Sequence, residues 1–426
     1  MRKLLLILSI GLLWTTTSFA YDYKVRNFTK WLYENGYNEY VEKDSDGKLQ
    51  TNLEITTNPK KRNLAYNRNP NKDTLLYYVW DYSIAARNSY EVKPSNEPYE
   101  FKFNLIEDKF VKKQMKNKAI LSYLYYQDGE ILIDELSPKE NLGEFLNNET
   151  KFYSMSMSKS VTSYIIGHAI CGGYIDGVDH RLNDWPVLEN TLYHNQKLID
   201  FLNMSTGDQK YINEYTGKST EGFEGSSISR TMSLSFKGSV KSKSTYNYNG
   251  LITQILINYV KYKTGDDYEK LLNEIFTDKV KIKYSVLPTF SGGSGQGILH
   301  PSLSATRYDW LRIAKAIMDD YQNDTCVGKY LKTIYERRIP KNYNENKTEP
   351  QFNRTKSYGG QFHMDYPGLK NRVVFGFGGY GGNAILIDVE NSRIVVLNSL
   401  HFNNKKFKYS VKKLLIDPIK KGKQLW

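Results

Sequence analysis

Ser156-Met157-Ser158-Lys159 begins a segment in which apolar residues recur at helical spacing until Gly172-Gly173. The recurring positions are Val161, Ile165, Ile166, Ala169 and Ile170. Spacings of three and four residues predict a helix that ends at the glycine pair. We therefore expect Ser156 at or near the helix N-terminus, with Lys159 one turn further along on the same face.

The spacing of Ser156 and Lys159 suits nucleophilic catalysis. A serine hydroxyl needs a base within hydrogen-bond reach, and a lysine that burial and the helix N-terminus keep partly neutral can act as one. The motif is short, however, and a second copy occurs at Ser410-Val411-Lys412-Lys413 in a basic C-terminal segment. A serine that begins a helix also serves commonly as an N-cap. The motif alone therefore leaves the nucleophile undecided.

Strand signals lie towards both ends of the chain. The segments 119–126 and 130–133 flank an Asp128-Gly129 turn, which predicts a β-hairpin. Further strands are predicted at 372–375, 384–387 and 393–397, and helices at 251–263, 268–276 and 306–318. Polar stretches at 215–245 and 340–357 predict loops. This order predicts an α+β fold, with an antiparallel sheet from both chain ends, flanking helices and a mainly helical insert at about 175–350.

A glycine-rich run follows the strand signal at 372–375. Gly376, Gly378 and Gly381 satisfy the pattern G-x-G-x-x-G, which raises the possibility of a dinucleotide site. Such a site requires the glycines to open a helix, whereas the residues from Asn383 to Asp388 predict another strand. Glycines within strands instead permit close approach of a ligand or a second backbone. We therefore expect no nucleotide cofactor here.

The N-terminus has the features of a signal peptide. Met1-Arg2-Lys3 precedes an apolar run from Leu4 to Trp14, and the small residues Ser18 and Ala20 suit cleavage after Ala20. The run is too short to span a bilayer comfortably, and no later run is long enough. We expect a signal peptide at 1–20 and a periplasmic or secreted protein, with a retained membrane anchor as the alternative.

Composition limits the partners. The formal charge of +13 becomes 13 − 2 = +11 once Arg2 and Lys3 are removed, which favours weak attraction to anionic envelope polymers. An ordinary solvated basic surface is the simpler alternative. No nucleic-acid module is recognisable. The six histidines have no metal-ligand spacing, so we expect no metal, and Cys171 and Cys326 allow either a disulfide or free thiols.

From Ala119 to Leu397 the chain resembles the serine β-lactamase-related hydrolases, especially class C-like esterases and nylon-oligomer hydrolases. The resemblance rests on the hairpin, on the segments 156–160 and 201–207, and on two motifs downstream. In the first of these, Tyr248 takes the place of the catalytic tyrosine, with Tyr246 as the fallback and Gly250 where asparagine is common. The alternative is an ordinary surface tyrosine among the 35 of the chain.

In the second motif the resemblance aligns Phe377-Gly378-Gly379 with a K-T-G or H-x-G strand. It implies an oxyanion hole formed by the backbone N–H groups of Ser156 and Tyr380, and substrate contacts from Tyr246, Phe377, Gly378 and Gly379. In the family the Lys or His of this strand helps to hold a substrate carboxylate. Because Phe377 carries no charge, we expect poor β-lactam turnover and a preference for esters or amides without that carboxylate.

The resemblance implies a β-lactamase/transpeptidase-like fold and a hydrolase domain at 97–426, after an extension at 21–96 to which we assign no function. We expect an exported serine hydrolase that cleaves a small-molecule or peptide-like ester or amide through an acyl-enzyme, without a cofactor. The alternatives are a β-lactamase or D-Ala-directed peptidase, and a non-catalytic envelope-binding protein that retains the fold.

Overall fold

The computed structural model describes residues 28–30, 32–33, 37–51, 88–89, 91–143, 146–212, 228–291, 298–341, 355–400, 409–410 and 412–422. The expected signal peptide at 1–20 and much of the extension at 21–96 lie outside the described residues. So does most of the loop expected at 340–357 and part of the one at 215–245.

The described strands and helices follow in chain order. The strands are β1 (Val41–Lys43), β2 (Leu49–Thr51), β3 (Asn88–Ser89), β4 (Lys102–Phe103), β5 (Ile120–Gln127), β6 (Glu130–Leu136), β7 (Lys151–Tyr153), β8 (Leu287–Ser291), β9 (Ile298–Thr306), β10 (Ile339–Pro340), β11 (Ser357–Gly359), β12 (Phe362–Met364), β13 (Val374–Gly379), β14 (Asn383–Asp388) and β15 (Arg393–Ser399). The helices are α1 (Lys109–Met115), α2 (Met157–Cys171), α3 (Leu198–Leu202), α4 (Ile228–Thr231), α5 (Gly250–Thr264), α6 (Tyr268–Asn273), α7 (Arg307–Gln322), α8 (Cys326–Glu336) and α9 (Asp417–Lys421).

A nine-stranded sheet, counted over the described residues, forms the centre of the molecule. Its order is β10-β11-β12-β13-β14-β15-β5-β6-β4, so the C-terminal strand β15 pairs with the N-terminal hairpin β5–β6. Every pair is antiparallel except β4 with β6. The hairpin turns at Asp128 and Gly129, whose φ angles of 49° and 95° are the left-handed values that a tight turn requires. The prediction that both chain ends complete one sheet is confirmed.

Alternation along the strands divides the core into two layers. On β5, Leu124 belongs to the large hydrophobic cluster that contains α2, α5, α7 and α8. Its neighbours Tyr123 and Tyr125 belong to a smaller cluster with α1 and α9. Successive side chains on a strand point to opposite faces, so a strand covered on both faces is buried along its whole length, as β5 is.

The predicted helices form with small changes at their ends. The one expected at 251–263 is α5, and the one expected at 306–318 is α7, where the Thr306 hydroxyl accepts from the Asp309 N–H as an N-cap. The one expected at 268–276 is α6, which continues as a π-helical segment at Glu274–Lys279. We did not predict β8 and β9, which form a second sheet with β3 and β7 in the order β3-β8-β9-β7.

Parts of the N-terminal extension pack against the rest of the chain. Phe28, Leu32 and Tyr37 are buried within the large cluster. In addition, β3 pairs with β8, and Val92 forms a bridge with Val286. These contacts join the described residues of 28–37 and 88–92 to the large core and to the second sheet, respectively.

Two further observations concern the whole described chain. Cys171, at the end of α2, forms a disulfide with Cys326, at the start of α8, which settles the open pairing of the two cysteines. None of the described helices is long and apolar enough to cross a membrane.

Candidate active site

The backbone that leads into α2 presents Ser156 at the helix N-terminus. Ser154 is tied to β9 by two hydrogen bonds, from its N–H to the Leu303 carbonyl at 2.8 Å and from the Leu303 N–H to its Oγ at 3.0 Å. Met155 then has a φ of 49°, a value that a non-glycine residue adopts rarely and at an energetic cost. The strained turn directly precedes Ser156, and strain of this kind collects at functional sites.

Ser156 and Lys159 are in hydrogen-bond contact. Lys159 Nζ lies 3.1 Å from Ser156 Oγ, one helical turn further along α2. The Lys159 side chain is buried, with 8% of its surface exposed, and burial favours the neutral form of an amine. In that form the nitrogen lone pair can accept the serine proton.

The second S-x-x-K motif has different surroundings. The Lys413 N–H donates to Ser410 Oγ at 3.4 Å, which makes Ser410 the cap of a short helical turn. Lys413 Nζ lies 5.1 Å from the ring centre of Phe110. Ser410 and Lys413 therefore make contacts within their own surroundings. In the described contacts, neither residue meets a tyrosine or the glycine strand.

Tyr248 lies beside the serine and lysine. Lys159 Nζ is 5.1 Å from the centre of the Tyr248 ring, and the ring is half-buried. Tyr248 precedes α5, whose N-terminus is capped by Asn249 through a 3.0 Å hydrogen bond from the Ile252 N–H. Tyr246, the fallback, is almost fully buried and packs against Tyr358 at a ring distance of 5.1 Å. The structure thus places the ring of Tyr248 against Lys159 Nζ.

The glycine run passes close to the nucleophile. A Cβ added at Gly379 would lie 2.9 Å from the Ser154 carbonyl oxygen and 3.2 Å from Met155 Cβ, so only glycine fits without displacement. Tyr380, the expected oxyanion donor, begins a 3₁₀ turn at Tyr380–Gly382. This turn leads directly into β14 rather than into a helix, which rules out a Rossmann-type glycine loop.

Phe377 and Gly378 are both buried in β13. The Phe377 ring packs edge-on against Phe362 at 5.3 Å, within the large hydrophobic cluster. Phe377 is thus a core residue that brings no charge to the site. Its expected contact with substrate, like those of Tyr246, Gly378 and Gly379, stays a prediction.

Sequence reasoning missed two basic residues behind Tyr248. His363 stacks on the Tyr248 ring at 6.1 Å, and its Nδ1 lies 2.6 Å from Lys341 Nζ. Burial, reinforced by the neighbouring Lys341, lowers the pKa of His363 well below 6.5. The imidazole is therefore neutral and its Nδ1 accepts from the Lys341 ammonium. No motif signals this pair, because the two residues are 22 positions apart.

The chemistry that this arrangement can support is acyl transfer. It contains a hydroxyl with a basic partner, a phenol beside that partner, and strand backbone close to the nucleophile. Among the described residues, no group of three or more His, Cys, Asp or Glu side chains could hold a metal ion.

Comparison with known proteins places the fold. A scan against models of protein families found no match, and the sequence matches no curated protein. Solved structures do match. A candidate 6-aminohexanoate-dimer hydrolase from Bacillus anthracis has a TM-score of 0.60 and 15% identity, over 80% of this chain and 94% of that one.

Two further solved structures match the fold of this chain. A candidate β-lactamase from Bacteroides dorei has a TM-score of 0.51 and 16% identity, over 71% of this chain and 94% of that one. A penicillin-binding protein from Bacillus halodurans has a TM-score of 0.50 and 14% identity, over 71% of this chain and 97% of that one. At such low identities the likeness concerns the fold. The chain has the β-lactamase/transpeptidase-like fold, which the sequence resemblance predicted and which serine hydrolases of this kind share.

Proposed function

We propose that the protein is an exported serine hydrolase that cleaves an ester or amide bond through an acyl-enzyme. The observation that carries the proposal is the 3.1 Å contact between Ser156 Oγ and Lys159 Nζ, with the Tyr248 ring 5.1 Å from the same nitrogen. The fold supports it, because the similar solved structures include hydrolases and a penicillin-binding protein.

In the first half of the reaction, Ser156 Oγ attacks the carbonyl carbon of the substrate, and its proton passes to Lys159 Nζ. The carbonyl oxygen becomes an oxyanion, which the backbone N–H groups of Ser156 and Tyr380 would hold. Tyr248 shares the proton relay and protonates the leaving alcohol or amine as the scissile bond breaks. Water then attacks the acyl-enzyme, with its proton taken up by the same groups, and releases the acid and the free serine.

The substrate is proposed to be a small-molecule or peptide-like ester or amide. In the related hydrolases a Lys or His at the position of Phe377 helps to hold a substrate carboxylate. Phe377 has no charge and its ring is buried against Phe362, which supports a substrate without that carboxylate. Lys341 lies 2.6 Å from His363, which stacks on Tyr248, but the Lys341 side chain is buried and its Nζ donates to His363.

Export is proposed from the N-terminal sequence and from the disulfide. Structural disulfides persist in oxidising compartments, and Cys171 and Cys326 are bonded. Expression of the full-length chain in a bacterial host, followed by fractionation and mass determination, tests this point. We expect a mature chain that begins at Tyr21 outside the cytoplasm, whereas an uncut cytoplasmic chain would contradict export.

The decisive experiment is labelling with a fluorophosphonate probe. We compare the wild type with Ser156→Ala and with the matched variant Ser410→Ala, which removes the serine of the second motif. Labelling should disappear only in Ser156→Ala, and its survival there would refute the assignment. A panel of p-nitrophenyl esters, linear amide oligomers and a chromogenic cephalosporin then defines the substrate. Efficient, saturable cephalosporin hydrolysis would favour a β-lactamase instead.

A further inference from the structure

Asp208 is a buried carboxylate outside the set formed by Ser156, Lys159 and Tyr248. Its Oδ1 accepts from Asn247 Nδ2 at 2.6 Å, and its Oδ2 accepts from Asn249 Nδ2 at 3.2 Å. Asn247 and Asn249 are the two residues that flank Tyr248 in the chain. A single carboxylate therefore holds both neighbours of the proposed catalytic tyrosine.

The backbone around Asp208 lies directly against the segment that carries Tyr248. The Asn247 N–H donates to the Met204 carbonyl at 2.8 Å, and the Ser242 N–H donates to the Gly207 carbonyl at 2.8 Å. Gly207 has a φ of 75°, and a Cβ there would lie 2.6 Å from the Ser242 carbonyl oxygen. This close approach brings the Asp208 carboxylate within reach of both asparagine side chains.

The partners of Asp208 favour an acceptor at both of its oxygens. Asn247 Nδ2, Asn249 Nδ2 and the Tyr193 hydroxyl, at 3.1 Å, all donate to it. Burial raises the pKa of Asp208, while these hydrogen bonds oppose the increase. An ionised carboxylate, which accepts at both oxygens, matches three donors, and an amide of the same shape does not.

A contribution to stability does not by itself explain why a carboxylate is buried at position 208. Among the described residues no lysine or arginine forms an ion pair with Asp208, and a buried charge of this kind returns little net stability. The Tyr248 ring, in contrast, is half-buried and packs against Tyr358 and His363, and the backbone on either side of it sets the point from which the side chain extends. Asn249 transmits the constraint to α5 as well, since its Oδ1 accepts from the Ile252 N–H.

We infer that Asp208 is a positioning residue, which clamps Asn247 and Asn249 and so fixes the hydroxyl of Tyr248 relative to Ser156 and Lys159. The inference rests on the proposed function, because it assigns Asp208 a role only if Tyr248 takes part in catalysis. It adds to that function a residue that does not touch substrate and acts through the tyrosine.

The test begins with Asp208→Asn, which keeps the shape of the side chain but sets an NH₂ donor against another donor. We expect kcat for a p-nitrophenyl ester to fall about 10- to 100-fold, as expected when a catalytic group is misplaced by a fraction of an ångström to an ångström. KM should stay within about threefold, because ground-state binding of the ester does not use the Tyr248 proton.

Two matched variants separate positioning from folding. Tyr193→Phe removes a donor from the same carboxylate without touching a neighbour of Tyr248, so it should lower the melting temperature but keep kcat. The exchange Asp208→Asn with Asn247→Asp restores a donor–acceptor pair at the 2.6 Å contact and should recover most of kcat. If Asp208→Asn does not fold, Asn247→Ser carries the same prediction, since it removes one bond and leaves two donors on Asp208.

A double-mutant cycle with Tyr248→Phe completes the test. Asp208→Asn should lower kcat in the wild type and have no further effect once the tyrosine hydroxyl is gone. Unchanged kcat in Asp208→Asn, an equal kcat loss in Tyr193→Phe, or additive losses in the cycle would overturn the inference. Unchanged kcat in Tyr248→Phe would instead refute the role of Tyr248, and fluorophosphonate labelling that survives in Ser156→Ala would refute the proposed function, so the failures are distinguishable.

Discussion

Replacing Gly379 by alanine tests whether the glycine strand serves the nucleophile. A Cβ at this position would lie 2.9 Å from the Ser154 carbonyl oxygen, whereas ordinary van der Waals contact begins at 3.4 Å. The strand or the turn before Ser156 must therefore move by about 3.4 − 2.9 = 0.5 Å. Both proposed oxyanion donors, the N–H groups of Ser156 and Tyr380, lie next to the residues that move.

The expected cost follows from the role of these donors. Complete loss of one oxyanion donor lowers kcat by about 10²–10³-fold. A displacement of half an ångström weakens the donor without removing it, so we expect Gly379→Ala to lower kcat by about 10- to 100-fold. This corresponds to about 1.4–2.7 kcal/mol in the activation free energy.

The assay is steady-state hydrolysis of a p-nitrophenyl ester, with thermal unfolding measured on the same samples. Two glycines serve as controls. A Cβ at Gly376 would lie 1.8 Å from the hydroxyl of the buried Tyr366, so Gly376→Ala should lower the melting temperature most. A Cβ at Gly250, in the first turn of α5, meets nothing within 4 Å, so Gly250→Ala should leave the melting temperature unchanged or higher. If Gly379→Ala retains both kcat and its melting temperature, the proposed oxyanion hole is wrong.

Three further predictions concern the tyrosines, the disulfide and a buried histidine. Tyr248→Phe should lower kcat by about 10²–10⁴-fold, as for loss of a general acid–base group, and more than Tyr246→Phe does; the reverse order would make Tyr246 the catalytic residue. The disulfide joins residues 155 positions apart, so its loss should lower the free energy of unfolding by about 2–5 kcal/mol. Urea titrations of the reduced protein, or of the double variant Cys171→Ser with Cys326→Ser, measure this, and an unfolding midpoint equal to that of the oxidised wild type would contradict it. Burial lowers the pKa of His168 from 6.5 to about 4. Between these values the unfolded chain binds the proton and the folded chain does not. The free energy of unfolding therefore keeps its full value above pH 6.5 and falls by up to about 3 kcal/mol as the pH drops to 4. His168→Gln should flatten this pH dependence, and an unchanged slope would contradict the prediction.

The sequence predicts the fold well where its signals are local. The Asp128-Gly129 hairpin, the helix after Ser156 and the cap at Thr306 each depend on residues within a few positions, and all three form. The second sheet was not predicted, because β8 and β9 pair not only with each other but also with β3 and β7, which are distant in sequence. Strand propensity alone is weak when partners of this kind decide the outcome.

The site divides in the same way. Ser156 and Lys159 are three residues apart on one helix, so spacing alone predicts their contact. For the tyrosine, spacing was not enough: Tyr248 was preferred to Tyr246 only by the resemblance, and it is the fold that sets Lys159 against the Tyr248 ring. Lys341 and His363 carry no motif, and the spatial relation of both to Tyr248 depends on the edge strands of the central sheet.

Asp208 shows why a positioning residue is the hardest to find in a sequence. It directly follows the segment 201–207 that contributed to the resemblance, but nothing within four residues of it explains a buried acid. Its meaning depends on Asn247 and Asn249, about forty positions away, and on the close approach at Gly207 that brings them together. Because the flanking asparagines, rather than the tyrosine itself, contact the carboxylate, a search for residues near the reacting atoms also passes over it. The exchange of Asp208 and Asn247 isolates this relation, since it conserves composition, charge and volume and changes only which residue of the pair accepts the hydrogen bond.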